Sequence, residues 1–301
     1  MRMTAAALAG LTFVVSAPCA ARADPAPELV FALARDTLPA GAIRLTNGNP
    51  VKVSDWPALV FAEFETGAGP TASCTGVLVG PRALLTAGHC VTYFMMSTVK
   101  PSALQVGRDM LGLTCAPYDL YQGAAGEGDF ALCFVAASNP TLSAMEFEVI
   151  EDERALAVGQ RVWLAGYGCT DLRYDAIHQW TYTRAPHRLN FGADIVDSAS
   201  SAMAQTRSER GREPMLCKGD SGGALWSTAS INDTDLPRRI VGVNSFISAE
   251  ARPDGDWDII SHMGQTGSAA FASWARKWSA EHGDAVICGI TREPGDFPCR
   301  A

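Results

Sequence analysis

From residue 45 onward the chain alternates short apolar runs with breaks rich in Gly, Pro, Asn and Asp. A first series includes residues 58–64, 76–79, 83–85 and 130–135, and a second includes residues 161–165, 224–226 and 239–245. Runs of this length, rich in Val, Leu, Ile and Phe and bounded by turn residues, predict β-strands. Two such series in about 230 residues predict two packed barrels or sandwiches rather than a helical or α/β fold. Residues 268–282 differ: Phe271, Trp274 and Trp278 recur at helical spacing and predict a C-terminal helix, with that face packed on the second barrel. Residues 24–44 contain Pro and Ala, show no strand pattern, and are read as a short pro-segment. No repeat or low-complexity tract interrupts the chain.

The start of the chain belongs to export rather than to the fold. Arg2 opens it, residues 5–17 are apolar, and Ala21-Arg22-Ala23 offers a small-x-small cleavage site before Asp24. The apolar stretch is shorter than the ~20 residues that span a bilayer. Residues 1–23 are therefore expected to be a signal peptide, and the mature protein to be secreted, extracellular or periplasmic, with no membrane partner. The chain carries 24 basic and 32 acidic residues, a formal charge of −8. Loss of Arg2 and Arg22 with the leader makes it more negative still. Such a balance argues against nucleic acid as a partner.

Of nine cysteines, Cys19 lies in the leader. The remaining eight, Cys74, Cys90, Cys115, Cys133, Cys169, Cys217, Cys288 and Cys299, form an even set in an exported chain. That points to as many as four disulfides. Cys288 and Cys299 are close enough in sequence to close a small C-terminal loop. No Cys-x-x-Cys or His-rich spacing marks a metal site, and neither metal nor cofactor is expected. Acidic residues around Gly255 do not have EF-hand spacing. Asp171, Asp175, Asp254, Asp256 and Asp258 are read as solvated loop residues, and His178, His187, His262 and His282 as surface or loop histidines.

Three segments carry chemistry. Residues 216–223 read Leu-Cys-Lys-Gly-Asp-Ser-Gly-Gly, residues 86–90 Thr-Ala-Gly-His-Cys, and residues 128–132 Gly-Asp-Phe-Ala-Leu. They supply His89, Asp129 and Ser221, in that order. A serine hydroxyl is a poor nucleophile until an imidazole takes its proton and a buried carboxylate fixes the tautomer of that imidazole. Each segment alone is an ordinary turn or structural site. Together, in this order and spacing, they point to nucleophilic catalysis.

The same three segments resemble the nucleophile, histidine and aspartate segments of the chymotrypsin–trypsin family, over roughly residues 45–278. The resemblance implies an all-β fold of two packed six-stranded antiparallel β-barrels with a C-terminal helix. The first barrel would span 45–149 with His89 and Asp129, and the second 150–278 with Ser221, leaving 279–301 as a tail. It implies a serine endopeptidase acting on proteins or peptides, monomeric, with protein inhibitors as further partners. The oxyanion would be held by the N–H groups of Gly219 and Ser221, and Ser245 would hydrogen-bond Asp129 and line the cleft. It also implies a Cys74–Cys90 bridge beside His89; with Cys288–Cys299, that leaves Cys115–Cys133 and Cys169–Cys217.

Met215 stands where trypsin-like members carry the pocket-floor aspartate, so the resemblance implies an apolar primary pocket. Ile247 would narrow it, Gly255 would be the surviving pocket glycine, and adjacent Asp256 is the one acid that could restore a basic preference. Arg44-Leu45-Thr46-Asn47-Gly48 resembles an activation site: cleavage after Arg44 would free the Leu45 amine to pair with Asp220 and form the oxyanion hole. Two other readings compete. A catalytically dead homologue would keep the fold and bind peptides, but such proteins lose a triad member. A hydrolase with a nucleophile elbow would place its histidine last in sequence, whereas His89 comes first.

Overall fold

A computed structural model describes residues 28–33, 47, 49–50, 53–66, 69–93, 95–96, 98–152, 154–169, 171–175, 177, 179–183, 189–227 and 238–300. The signal segment, Arg44 and Leu45 lie outside them. In chain order the strands of the first half are β1 (Leu29–Leu33), β2 (Asn49–Pro50), β3 (Leu59–Thr66), β4 (Gly69–Gly80), β5 (Ala83–Thr86), β6 (Ser102–Val106), β7 (Asp109–Pro117) and β8 (Ala131–Val135). Those of the second are β9 (Val149–Ile150), β10 (Arg161–Gly166), β11 (Asp171–Asp175), β12 (Gln179–Thr183), β13 (Asn190–Ala199), β14 (Met203–Ser208), β15 (Ala224–Ser227), β16 (Arg239–Ala251) and β17 (Trp257–Gln265). Helices are short, α1 (Gly88–Val91) and α2 (Pro140–Ser143), apart from the terminal α3 (Ala269–Glu281). None of them is long and apolar enough to cross a membrane.

The two barrels expected from the sequence are present, but the first has seven strands. Its order is β1-β3-β4-β5-β8-β7-β6, and it closes through β1, antiparallel to β3 and parallel to β6. Residues 29–33, in the stretch that showed no strand pattern, are thus an integral barrel wall. Leu29, Phe31 and Leu33 point inward and are fully buried. The reason they escape a sequence reading is physical: Leu-Val-Phe-Ala-Leu is an unbroken apolar run between Pro27 and Asp36, and such a run has no alternation to betray it. The second barrel, β10-β15-β16-β17-β14-β13, closes between β10 and β13, with β2 added beside β13 and β9 beside β16. The chain therefore passes from the first barrel to the second between β1 and β2.

The main apolar core fills the first barrel and crosses the junction, and a separate cluster around Val162, Leu164, Val241 and Met263 fills the second. At their junction Trp56 packs on Phe191 and Trp226, at ring-centroid distances of 4.1 and 5.1 Å. The Arg238 guanidinium lies 3.5 Å over the Trp56 ring and pairs with buried Glu148 at 2.5 Å, so neither buried charge is left alone. Helix α3 begins at Ser268, whose hydroxyl caps the Phe271 N–H. Its aromatic face packs on the first barrel instead of the second: Phe271 meets Phe130, Trp274 meets Tyr118, and Trp278 meets Phe134.

Candidate active site

Strand β5 ends at Thr86, and the single turn α1 presents His89 at the mouth of the first barrel. The Cys74–Cys90 disulfide ties that turn to β4, and Lys100 Nζ holds the Cys90 carbonyl. Asp129 lies just before β8 and is fully buried. A buried carboxylate needs partners, and here it has three. Its Oδ1 accepts the His89 backbone N–H at 2.9 Å, and its Oδ2 meets His89 Nδ1 at 2.7 Å and the Ser245 hydroxyl at 2.5 Å. Those contacts fix the imidazole with Nδ1 toward the carboxylate and Nε2 toward the cleft.

Ser221 comes from the loop between β14 and β15. Its carbonyl accepts the Thr75 N–H at 2.7 Å, anchoring the loop to the first barrel. Its hydroxyl donates to the Ser245 carbonyl at 3.2 Å, and must leave that acceptor to reach His89 Nε2. Such looseness is common before substrate binds. Gly219 has φ +106°, a conformation open to glycine and strained for other residues, and an added Cβ there would lie 2.5 Å from Ser73 Oγ. Among the described residues neither the Gly219 nor the Ser221 N–H has a hydrogen-bond acceptor.

The cleft beside these groups has a volume of about 220 Å³ and is lined by His89, Ala125, Leu216, Ser221, Phe246 and Ile247, among others. The expected pocket floor is displaced. Met215 is fully buried and does not reach the cleft; it packs with Cys169, Leu172, Cys217 and Ile259, and Leu216 lines the wall instead. Ile247 does line the cleft, and across the β16–β17 ladder it sits opposite buried Ser261, whose hydroxyl accepts the Leu216 N–H. Gly255 is corrected too: it is exposed at the tip of the β16–β17 hairpin, with φ +87° and nothing around it. Asp256 and Asp254 pair there with Arg210. Asp258 is buried, not solvated, and takes both Arg252 and Arg207. Paired to arginines, these acids neither enter the cleft nor form a cation cage.

His262 is no loop residue. It lies half-buried on β17, its ring stacked on Phe246 at 4.0 Å and its nitrogens held by Gln205 and Ser248; burial lowers its pKa. His282 closes α3, stacked on Trp278, and His178 and His187 lie outside the described residues. Cys74, His89 and Cys90 are near enough to share a metal, but the two sulfurs are joined to each other, leaving one ligand. The other bridges are Cys115–Cys133, Cys169–Cys217 and Cys288–Cys299.

Asp220 is fully buried, and its carboxylate accepts the N–H groups of Gly168 at 2.7 Å and Cys217 at 2.8 Å. Burial pushes it up to about 7 despite those two bonds. Thr75 and Gly168 are the residues that the sequence left unmarked, and Cys169 was marked only as the disulfide partner of Cys217. The two close-spaced glycines of Gly166-Tyr167-Gly168 were the available signal.

The model of the family described as Trypsin matches residues 45–260. The chain belongs to the trypsin family. Peptide-bond hydrolysis on protein or peptide substrates is the chemistry of that family. Among solved structures the chain resembles one of a Glu endopeptidase in complex with MPD, at 16% identity and a TM-score of 0.47, over 75% of this chain and 91% of that one. No curated protein matches the chain. His89 and Asp129 lie on the first barrel and Ser221 on the second.

Proposed function

We propose that the chain is a secreted serine endopeptidase in which Ser221 is the nucleophile, His89 the general base and acid, and Asp129 the group that orients His89. The observation that carries this reading is the buried Asp129 carboxylate, bonded at once to His89 Nδ1 and Ser245 Oγ, two residues that line the cleft together with Ser221. Ser221 Oγ bonds to the substrate carbonyl carbon while His89 Nε2 takes its proton, and the carbonyl electron pair moves to oxygen. That oxygen faces the free N–H groups of Gly219 and Ser221, each such donor being worth on the order of 10² to 10³ in rate. Collapse breaks the C–N bond, and His89 returns the proton to the departing amine. Water then attacks the acyl-enzyme by the same route and restores Ser221.

The primary pocket suits a small apolar side chain before the scissile bond. Leu216 and Ile247 supply apolar walls, and a Lys or Arg side chain would lose hydration without gaining a counter-charge. Export through residues 1–23, action as a monomer and control by protein inhibitors complete the reading. Fluorophosphonate labelling of the secreted protein tests it: Ser221 is modified, and Ser221→Ala and His89→Ala are not labelled. Labelling of either variant at a rate near wild type overturns the assignment.

A further inference from the structure

A short segment between β10 and β11, residues 167–169, packs directly against the Ser221 loop at the base of the β11–β12 arm. The Gly219 N–H belongs to the Lys218–Gly219 peptide. The carbonyl of that peptide accepts the Cys169 N–H at 3.0 Å. In a trans peptide C=O and N–H point in opposite directions, so a carbonyl fixed toward Cys169 turns the Gly219 N–H the other way. The next peptide is fixed as well: the Gly219 carbonyl accepts the Thr75 hydroxyl at 2.9 Å, and that hydroxyl accepts the Tyr167 N–H at 3.0 Å.

The same short segment holds the rest of the loop. Gly168 N–H reaches one oxygen of Asp220 and Cys217 N–H the other, and the Cys169–Cys217 disulfide joins the segment to the loop covalently. The approach is close enough that a Cβ on Gly168 would lie 2.6 Å from the Asp220 carboxyl carbon. Behind the bridge, Leu172, Met215 and Ile259 form a buried apolar backing. Residues 217, 218, 219 and 220 are each tied to residues 167–169 or to Thr75.

We propose that Gly168 and Cys169, with the Cys169–Cys217 bridge, are the positioning element of the oxyanion site and hold it formed in the uncleaved chain, so that a freed Leu45 amine is not required. This rests on the reading of Ser221 as nucleophile. Asp220, the residue such an amine would pair with, already has both oxygens engaged by backbone donors. Cleavage between Arg44 and Leu45 would then be a trimming event that leaves β1 seated in the first barrel.

The test uses the secreted full chain and three variants: Arg44→Gln, Cys169→Ser/Cys217→Ser, and Cys115→Ser/Cys133→Ser as a bridge remote from the loop. Each is followed by fluorophosphonate labelling, by kcat and KM on one peptide substrate, and by intact mass to establish whether residue 44 remains joined to 45. Arg44→Gln, uncleaved, should label and turn over within about twofold of wild type. Cys169→Ser/Cys217→Ser should lose on the order of 10²-fold in kcat with KM little changed, as expected when a donor to the transition state is misoriented. Cys115→Ser/Cys133→Ser should keep its kcat. An uncleaved Arg44→Gln chain that stays inert overturns the proposal, and that arm decides whether or not the cysteine variants fold. Equal losses in both cysteine variants, or none in Cys169→Ser/Cys217→Ser, also overturn it. Failure of wild type itself to label overturns the endopeptidase reading, and this proposal with it.

Discussion

Ser245 places its hydroxyl 2.5 Å from Asp129 Oδ2, the same oxygen that meets His89 Nδ1. Its carbonyl meanwhile accepts the Ser221 hydroxyl. One residue of β16 thus touches both Asp129 and Ser221 at the barrel junction. Ser245→Ala removes a hydrogen bond to a charged group, a contribution of about 1.5–3 kcal/mol. kcat/KM on a peptide substrate should fall by at least roughly tenfold, with the labelled residue still Ser221. A fall of less than twofold would mean the hydroxyl does not order Asp129.

The cleft wall makes a second prediction. Ile247 faces the cleft while Met215 is buried behind it. Wild type should prefer Ala or Val before the scissile bond over Phe and Arg. Ile247→Gly should raise the Phe-to-Ala ratio of kcat/KM by at least about tenfold, in line with the 1–3 kcal/mol that small volume changes in apolar pockets produce. It should not create Arg cleavage, because Asp256 stays paired with Arg210 at the hairpin tip. Efficient Arg cleavage by wild type would show an acid entering the pocket after all.

Strand β1 makes a third. Phe31 is fully buried between β3 and β6, so Phe31→Ala leaves a cavity in the first barrel and should cost about 3–5 kcal/mol. Urea unfolding should show the midpoint lowered at unchanged slope. A removable leader would show no such loss.

Asp194 on β13 gives a pH signature. Burial, helped by the nearby Glu213 and Asp197 charges, pushes its carboxyl up to about 6 from a free value of 3.8. The folded protein therefore holds this proton more tightly than the unfolded chain does. Stability from this group is greatest below about pH 4, and is lost as pH rises through about 6. Asp194→Asn keeps an acceptor for the Ile195 N–H and removes the charge. It should melt above wild type at pH 8, by about 2–3 kcal/mol, and match it near pH 4. Thermal melts at the two pH values decide this; no gain at pH 8 would mean the charge is compensated.

Amphipathic runs and turn residues were enough to read two barrels and a terminal helix, because each strand half-buried in a barrel leaves its own local pattern. The three chemical segments were legible for a similar reason. Gly219, Asp220 and Ser221 must be neighbours for one loop to present a nucleophile beside a free N–H, so their adjacency is written in the chain. β1 was not legible, since five apolar residues carry no period and only the gap between β3 and β6 gives them a place. The cleft wall was legible only at Ile247, which lines it as the resemblance implied. Counting residues back from Ser221 puts Met215 at the floor, but the β16–β17 ladder decides that Ser261 backs Leu216 and that Gly255 sits at an exposed tip. The Ser245–Asp129 bond was implied by the resemblance, but tertiary structure alone decided other contacts between residues far apart in sequence: Cys169 N–H on the Lys218 carbonyl, and Thr75 on the Gly219 carbonyl. Hydrogen bonds of that kind depend on where two strands end in space, and no local periodicity records it.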